Sequence, residues 1–194
     1  MNHRTLPAGY RPREVMDFVR SRRQMKIVCF GALAATLVMA ALGLILRPVA
    51  PSWRFLCEKQ WAWAALAGML IAYIPLHELT HGALMRLLSG VRPKYGFSLC
   101  YAYAGSAVWF DRRSHAVIAL APLILWGAVL AVLERTLPDA WFWLIYLVQI
   151  SNVSGSAGDV YCVVHLRRLP RDILIQDTGT RMRVYAPRSN EERK

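Results

Sequence analysis

WAWAALAGMLIAYIPLHELTHGALM, residues 61–85, is apolar throughout except for one pentad, His77-Glu78-Leu79-Thr80-His81. The run is long enough to be a helix through a membrane, and on a helix two histidines four residues apart project from one face. Their rings can then share a metal ion, and the carboxylate of Glu78 is placed to take a proton from a water held beside it. Neutral imidazoles bind Zn²⁺ at about 2.0–2.1 Å, so the spacing gives a ligand pair and a base together. Three ionisable groups in five residues cost about 2.5–3.5 kcal/mol each inside a hydrophobic span, and a divalent cation is a partner that offsets this.

Working outward, the chain has three more apolar runs. Residues 27–46 carry no charge, residues 116–133 carry none, and residues 140–164 hold one charged group, Asp159. With 56% hydrophobic residues in a chain of 194, the composition is that of an all-α membrane protein with four transmembrane helices. The first run is longer than a signal-peptide core and no cleavage site follows, so it reads as a retained span. The formal net charge is +12. Lys and Arg fall 7, 3, 5, 1 and 8 in the segments before, between and after the four runs, which predicts a multi-pass protein of the cell membrane with both termini cytoplasmic. The basic excess therefore orients the chain and meets anionic membrane lipid. Nucleic acid is not an expected partner, because no basic stripe interleaved with aromatics lies outside the spans. The four cysteines, Cys29, Cys57, Cys100 and Cys162, are widely spaced and predict no organising disulfide.

Three parts follow: a basic cytoplasmic segment over residues 1–26, a four-span domain over 27–166 and a basic cytoplasmic tail over 167–194. Within the first, Val15, Met16 and Val19 suggest an amphipathic helix from Arg13 to Arg23. In the second span Pro75 loosens the helix just ahead of the pentad and frees carbonyls there. Between spans two and three, alternation of Tyr95, Phe97, Leu99, Tyr101 and Tyr103, then Ala104-Gly105-Ser106 and residues 107–110, predicts a cytoplasmic-side hairpin turning at 104–106. An extended substrate could pair with its edge. The third span, with Pro122 and Gly127, reads as packing. In the tail, residues 172–176 and 180–185 flank Asp177-Thr178-Gly179 and predict a short C-terminal hairpin; the D-T-G triplet suits that turn. Residues 187–194 read as disordered.

The fourth run is unusually polar, from Gln149 through Asn152, Gly155 and Ser156 to Asp159. Small residues permit close helix approach, and Asn152 and Asp159 share a face. At about 1.5 Å per residue, His77 and His81 lie roughly 24 and 30 Å from Trp61, and Asp159 roughly 28 Å from Ala140. Asp159 is therefore at the depth of the pentad and is the natural third ligand, leaving a fourth position open. Cys162 and His165 are rivals one and nearly two turns on, and an Asp159 that only hydrogen-bonds the histidines is a further alternative.

HELTH, the SNVSGSAGD stretch and the D-T-G-x-x-x-x-V-Y tail together resemble the "Putative zincin peptidase" family of small bacterial multi-pass membrane proteins, relatives of the site-2 intramembrane metalloproteases. The likeness covers about residues 60–186. It implies a membrane zinc metallopeptidase acting on a peptide or membrane-protein substrate, with His77, His81 and Asp159 on Zn²⁺ and Glu78 as the catalytic acid/base. It also implies a substrate-positioning or oxyanion role for Asn152, although this chain has Gly155 where site-2 enzymes carry proline, and its Asp stands one residue nearer. A metal-binding membrane protein that regulates a partner without catalysis is the other class of function open to the same residues. Oligomeric state and substrate identity are not legible.

Overall fold

The computed structural model describes residues 2–18, 20–98 and 101–188. It is mostly helical, with a small antiparallel sheet. The strands and helices are, in order, β1 (Tyr10–Met16), α1 (Arg22–Leu46), α2 (Ala50–Glu58), α3 (Trp61–Ser89), β2 (Lys94–Ser98), β3 (Tyr101–Gly105), β4 (Trp109–Asp111), α4 (Arg112–Thr136), α5 (Phe142–Gly155), α6 (Ala157–Leu166), β5 (Leu174–Asp177) and β6 (Met182–Pro187). A short 3-10 turn, Asp139–Trp141, precedes α5. Helices α1, α3 and α4 are each long and apolar enough to cross a membrane. Pro75 lies inside α3, which continues through it.

Contacts divide the chain into two units. One unit comprises residues 1–27, 78–121 and 159–194. It contains the sheet β1-β6-β5-β4, the hairpin β2-β3 and most of α6. Its core buries Met16, Cys162, Leu166, Ile173, Ile175, Met182 and Val184. The other unit, residues 28–77 and 122–158, contains α2, α5 and most of α1. There Tyr146 donates to the Met39 carbonyl at 2.8 Å, and Phe55, Trp61 and Trp141 form an aromatic cluster with centroid separations of 5.3–5.8 Å. Arg47 and Asp139 pair at 3.2 Å.

Four sequence expectations change. The fold is not all-α, because the C-terminal hairpin β5-β6 is flanked by β1 on one side and β4 on the other. The expected helix over Arg13–Arg23 is replaced by strand β1 and then the first residues of α1. Tyr10–Met16 pairs along β6, and Val15 and Met16, neighbours in sequence, point opposite ways, 53% and 1% exposed, as a strand of period two requires. Val19 lies outside the described residues. The hairpin between α3 and α4 exists, but its register runs from Lys94↔Gly105 to Ser98↔Tyr101, so it turns between 98 and 101 and not at 104–106. Leu99 and Cys100 fall outside the described residues. Trp109–Asp111 leaves that hairpin to pair with β5, which buries Phe110 completely.

The fourth apolar run is two helices of 14 and 10 residues, α5 and α6, parted at Ser156. Ser156 returns both its N–H (3.2 Å) and its hydroxyl (2.8 Å) to the Asn152 carbonyl, which closes α5. The disorder expected near the C-terminus falls mostly on residues 189–194, outside those described. Cys29, Cys57 and Cys162 are free.

Candidate metal centre

Helix α3 carries the pentad because its apolar residues give a continuous helix in which His77 and His81 are one turn apart. Both are buried at 8% exposure, and Glu78 between them is half-buried. What each ring offers is decided by what its other nitrogen does.

His81 Nδ1 lies 2.9 Å from the Ile118 carbonyl of α4. A carbonyl only accepts, so Nδ1 carries a proton, and in the neutral ring Nε2 then keeps its lone pair. That carbonyl is available for a reason. In an α-helix it would accept from the residue four places on, and here that residue is Pro122, which has no N–H. Pro122, read from sequence as a packing residue, thus leaves an acceptor that orients His81.

His77 is fixed by a longer chain of bonds. Asn152 Nδ2 donates to the Leu123 carbonyl at 3.1 Å, which sets which end of the amide is which. Asn152 Oδ1 must then accept, and Tyr73 donates its only hydroxyl proton to it at 2.7 Å. The Tyr73 oxygen, 2.8 Å from His77 Nδ1, can therefore only accept, so His77 is also protonated at Nδ1. Asn152 and Tyr73 are 0% and 7% exposed, so neither has water as a substitute partner. Gly127 stands beside Asn152 Nδ2 at the limit of what a Cβ would allow.

Asp159, in the first turn of α6, brings Oδ1 to 3.5 Å from His81 Nε2. One ligand atom from each of His77, His81 and Asp159 lies within 4.8 Å of the others. Two bonds of about 2.0–2.1 Å at a tetrahedral angle separate their ligand atoms by about 3.3 Å, so the His81–Asp159 spacing fits a zinc site. Two imidazole lone pairs and a carboxylate are also the ligand types zinc takes, with one of four positions left over.

The rivals are occupied elsewhere. Cys162 packs into the sheet core, and His165 Nε2 meets Glu14 Oε1 at 2.8 Å. The D-T-G triplet is the β5-β6 turn: Gly179, at φ +83°, donates its N–H to Asp177 Oδ1 at 2.8 Å, and Thr178 caps the Arg181 carbonyl. Asp177 also faces buried His115 at 3.7 Å. Next to the pentad, the Tyr95 ring of β2 lies over Gly82, where any Cβ would clash, and so anchors the hairpin beside His81. Sequence reasoning missed Tyr73 and the Ile118 carbonyl. Their signals were present as a tyrosine four residues before His77 and a proline four residues after Ile118.

A family model described as "Putative zincin peptidase" matches residues 70–174, which is 105 of 194 residues and spans every residue of this centre. The chain belongs to that family. Over 122 residues this zincin-family chain is 30% identical to a relative from Pyrococcus woesei, described as an uncharacterized 24.7 kDa protein in a gap 5' region. The match covers 60% of this chain and about half, 53%, of the relative. No solved structure matches the chain. The family description points to a metallopeptidase and to zinc, which agrees with the donor set at the centre.

Proposed function

We propose that the chain is an integral-membrane zinc metallopeptidase of site-2-protease-like type, with its centre near the cytoplasmic face. The observation that carries this reading is the pair of imidazoles on α3, each held by a bond at Nδ1, with one ligand atom from each and from the Asp159 carboxylate within 4.8 Å of one another and Glu78 one residue from the first. His77, His81 and Asp159 would hold Zn²⁺, which when bound acidifies water and polarises a carbonyl. Glu78 accepts the proton of the attacking water and returns it to the leaving amine. No covalent enzyme intermediate is required. Asn152 spends both ends of its amide on Tyr73 and Leu123, so its role in this mechanism is to orient His77, in place of the oxyanion role the family likeness implies.

The charge alternation along the sequence supports four membrane passages with both termini cytoplasmic, the fourth made of α5 and α6 together. The break at Ser156 is tolerable at that depth only where protein surrounds it, and Ser156 and Asn152 are both fully buried. The substrate class is a peptide segment of a membrane protein, with membrane lipid as the surrounding partner.

The test compares cells carrying wild-type protein and Glu78→Gln by mapping new peptide termini in their membrane proteins. An amide cannot take the proton, so a set of termini should vanish while the purified variant keeps stoichiometric zinc. Unchanged termini appearing at the native rate would refute the peptidase reading.

A further inference from the structure

Ser21 ends the segment before α1 and its hydroxyl accepts the Gln24 N–H at 3.4 Å, which makes Ser21 the N-cap. Ser-x-x-Gln is the spacing of a capping box, in which the glutamine side chain would accept the Ser21 N–H in return. That half is not made. Ser21 donates instead to the Asp17 carbonyl at 2.9 Å, and Gln24 Oε1 is buried with no hydrogen-bond partner.

The unpaired amide lines a cavity of about 490 Å³, together with Asp17, Arg20, Ser21, Arg181 and Arg183. Strand β6 and the residue just before it supply two of these arginines: Met182 and Val184 go into the core, while Arg183 and, ahead of the strand, Arg181 are exposed. Asp17 does not cancel them. Its Oδ2 is held by Arg181 Nε at 3.1 Å and its Oδ1 by the Arg20 N–H at 3.1 Å, leaving three guanidiniums against one carboxylate. The cavity lies at the start of α1, a long apolar helix whose Phe30, Leu33 and Leu37 are 73%, 55% and 61% exposed.

We propose that this pocket binds the headgroup phosphate of an anionic glycerophospholipid. Guanidiniums recognise a phosphate diester through charge-assisted, often paired, hydrogen bonds, and the helix N-terminus adds to the positive potential. Turning its side chain into the pocket, Gln24 takes a headgroup hydroxyl, which would satisfy the now buried and orphaned Oε1 as no residue around it does. The position at the end of an apolar helix selects a lipid over a soluble phosphate, since only the lipid brings acyl chains to cover that helix. The inference rests on the membrane-spanning reading of α1 and is independent of peptidase activity.

The test measures phosphatidylglycerol retained by purified full-length protein in phosphatidylcholine-containing mixed micelles. At about 1 kcal/mol for each basic residue near the headgroups, Arg181→Gln with Arg183→Gln should lower retention roughly 10- to 30-fold. Arg92→Gln, a basic exposed control elsewhere, should leave it within twofold. Gln24→Leu should erase a preference for phosphatidylglycerol over phosphatidic acid, whose headgroup has no glycerol hydroxyl. Should the double variant not fold, Arg20→Gln alone should give a three- to tenfold loss. Retention within twofold of wild type in these arginine variants refutes the site, and displacement of the lipid by millimolar inorganic phosphate would make it a soluble-phosphate site instead. Release of the chain from membranes by alkaline wash would overturn the spanning reading of α1 and this inference with it, whatever the fate of the peptidase reading.

Discussion

Tyr73→Phe removes one oxygen, and with it two hydrogen bonds, the 2.7 Å bond to Asn152 Oδ1 and the 2.8 Å bond from His77 Nδ1. Both partners stay buried, at 0% and 8% exposure, so water does not replace the hydroxyl. Each group left unpaired costs about 1–3 kcal/mol, and loss of the group that orients a metal-ligating histidine typically lowers metal affinity about 10- to 100-fold. Zinc titration against a chromophoric chelator in detergent should therefore show a loss in that range, about 1.4–2.8 kcal/mol at 1.4 kcal/mol per decade. Asn152→Leu sharpens the test. It keeps the Tyr73 hydroxyl but removes the acceptor that forces its proton away from His77, so the hydroxyl can donate to His77 Nδ1 and push the ring proton to Nε2, where it blocks ligation. Its loss should be at least as large as that of Tyr73→Phe, although the Asn152 side chain is bonded to Tyr73 and Leu123 and is not one of the three clustered donors. Zinc affinity of Tyr73→Phe within twofold of wild type would refute the tautomer relay.

Three other outcomes are expected. Asp159→Ala should lower zinc affinity well beyond 100-fold, more than loss of a group that only hydrogen-bonds a ligand, while Cys162→Ala changes it little; the reverse order by the same titration would move the site one turn along α6. Pro122→Ala restores a backbone N–H that competes with His81 for the Ile118 carbonyl, so it should raise the thermal midpoint slightly and weaken zinc binding several-fold; unchanged zinc binding would show the carbonyl does not orient His81. A membrane-impermeant thiol reagent applied to intact cells should label Cys57 and a cysteine at Asp139, but not one at Ser89, and labelling at Ser89 would overturn the orientation read from the charges.

The apolar runs and the pentad were legible because both are short-range properties. A 20-residue uncharged run is long and apolar enough for a membrane-crossing helix on its own account, and two histidines four apart share a helix face by geometry alone. The C-terminal hairpin was legible for the same reason, since its turn chemistry at Asp177-Thr178-Gly179 is local. Asp159 was found by counting rise along two helices, which gives depth but not azimuth; the 3.5 Å approach of its carboxylate to His81 needed the tertiary structure.

Other features were decided only by contacts between distant residues. Tyr10–Met16 became a strand because β6, some 170 residues later, offered it an edge, and no local pattern encodes that partner. Trp109–Asp111 left the central hairpin because Phe110 had a core to enter beside β5. The state of the two histidines was also hidden from the sequence. Which nitrogen carries the proton depends on an acceptor 37 residues from His81 and on an amide 79 residues from Tyr73. The sequence by itself determined which residue types could meet a metal, whereas the fold decided, through a carbonyl that Pro122 leaves free and a tyrosine held by Asn152, that both histidines are held at Nδ1 and that a ligand atom of each comes within 4.8 Å of one on Asp159.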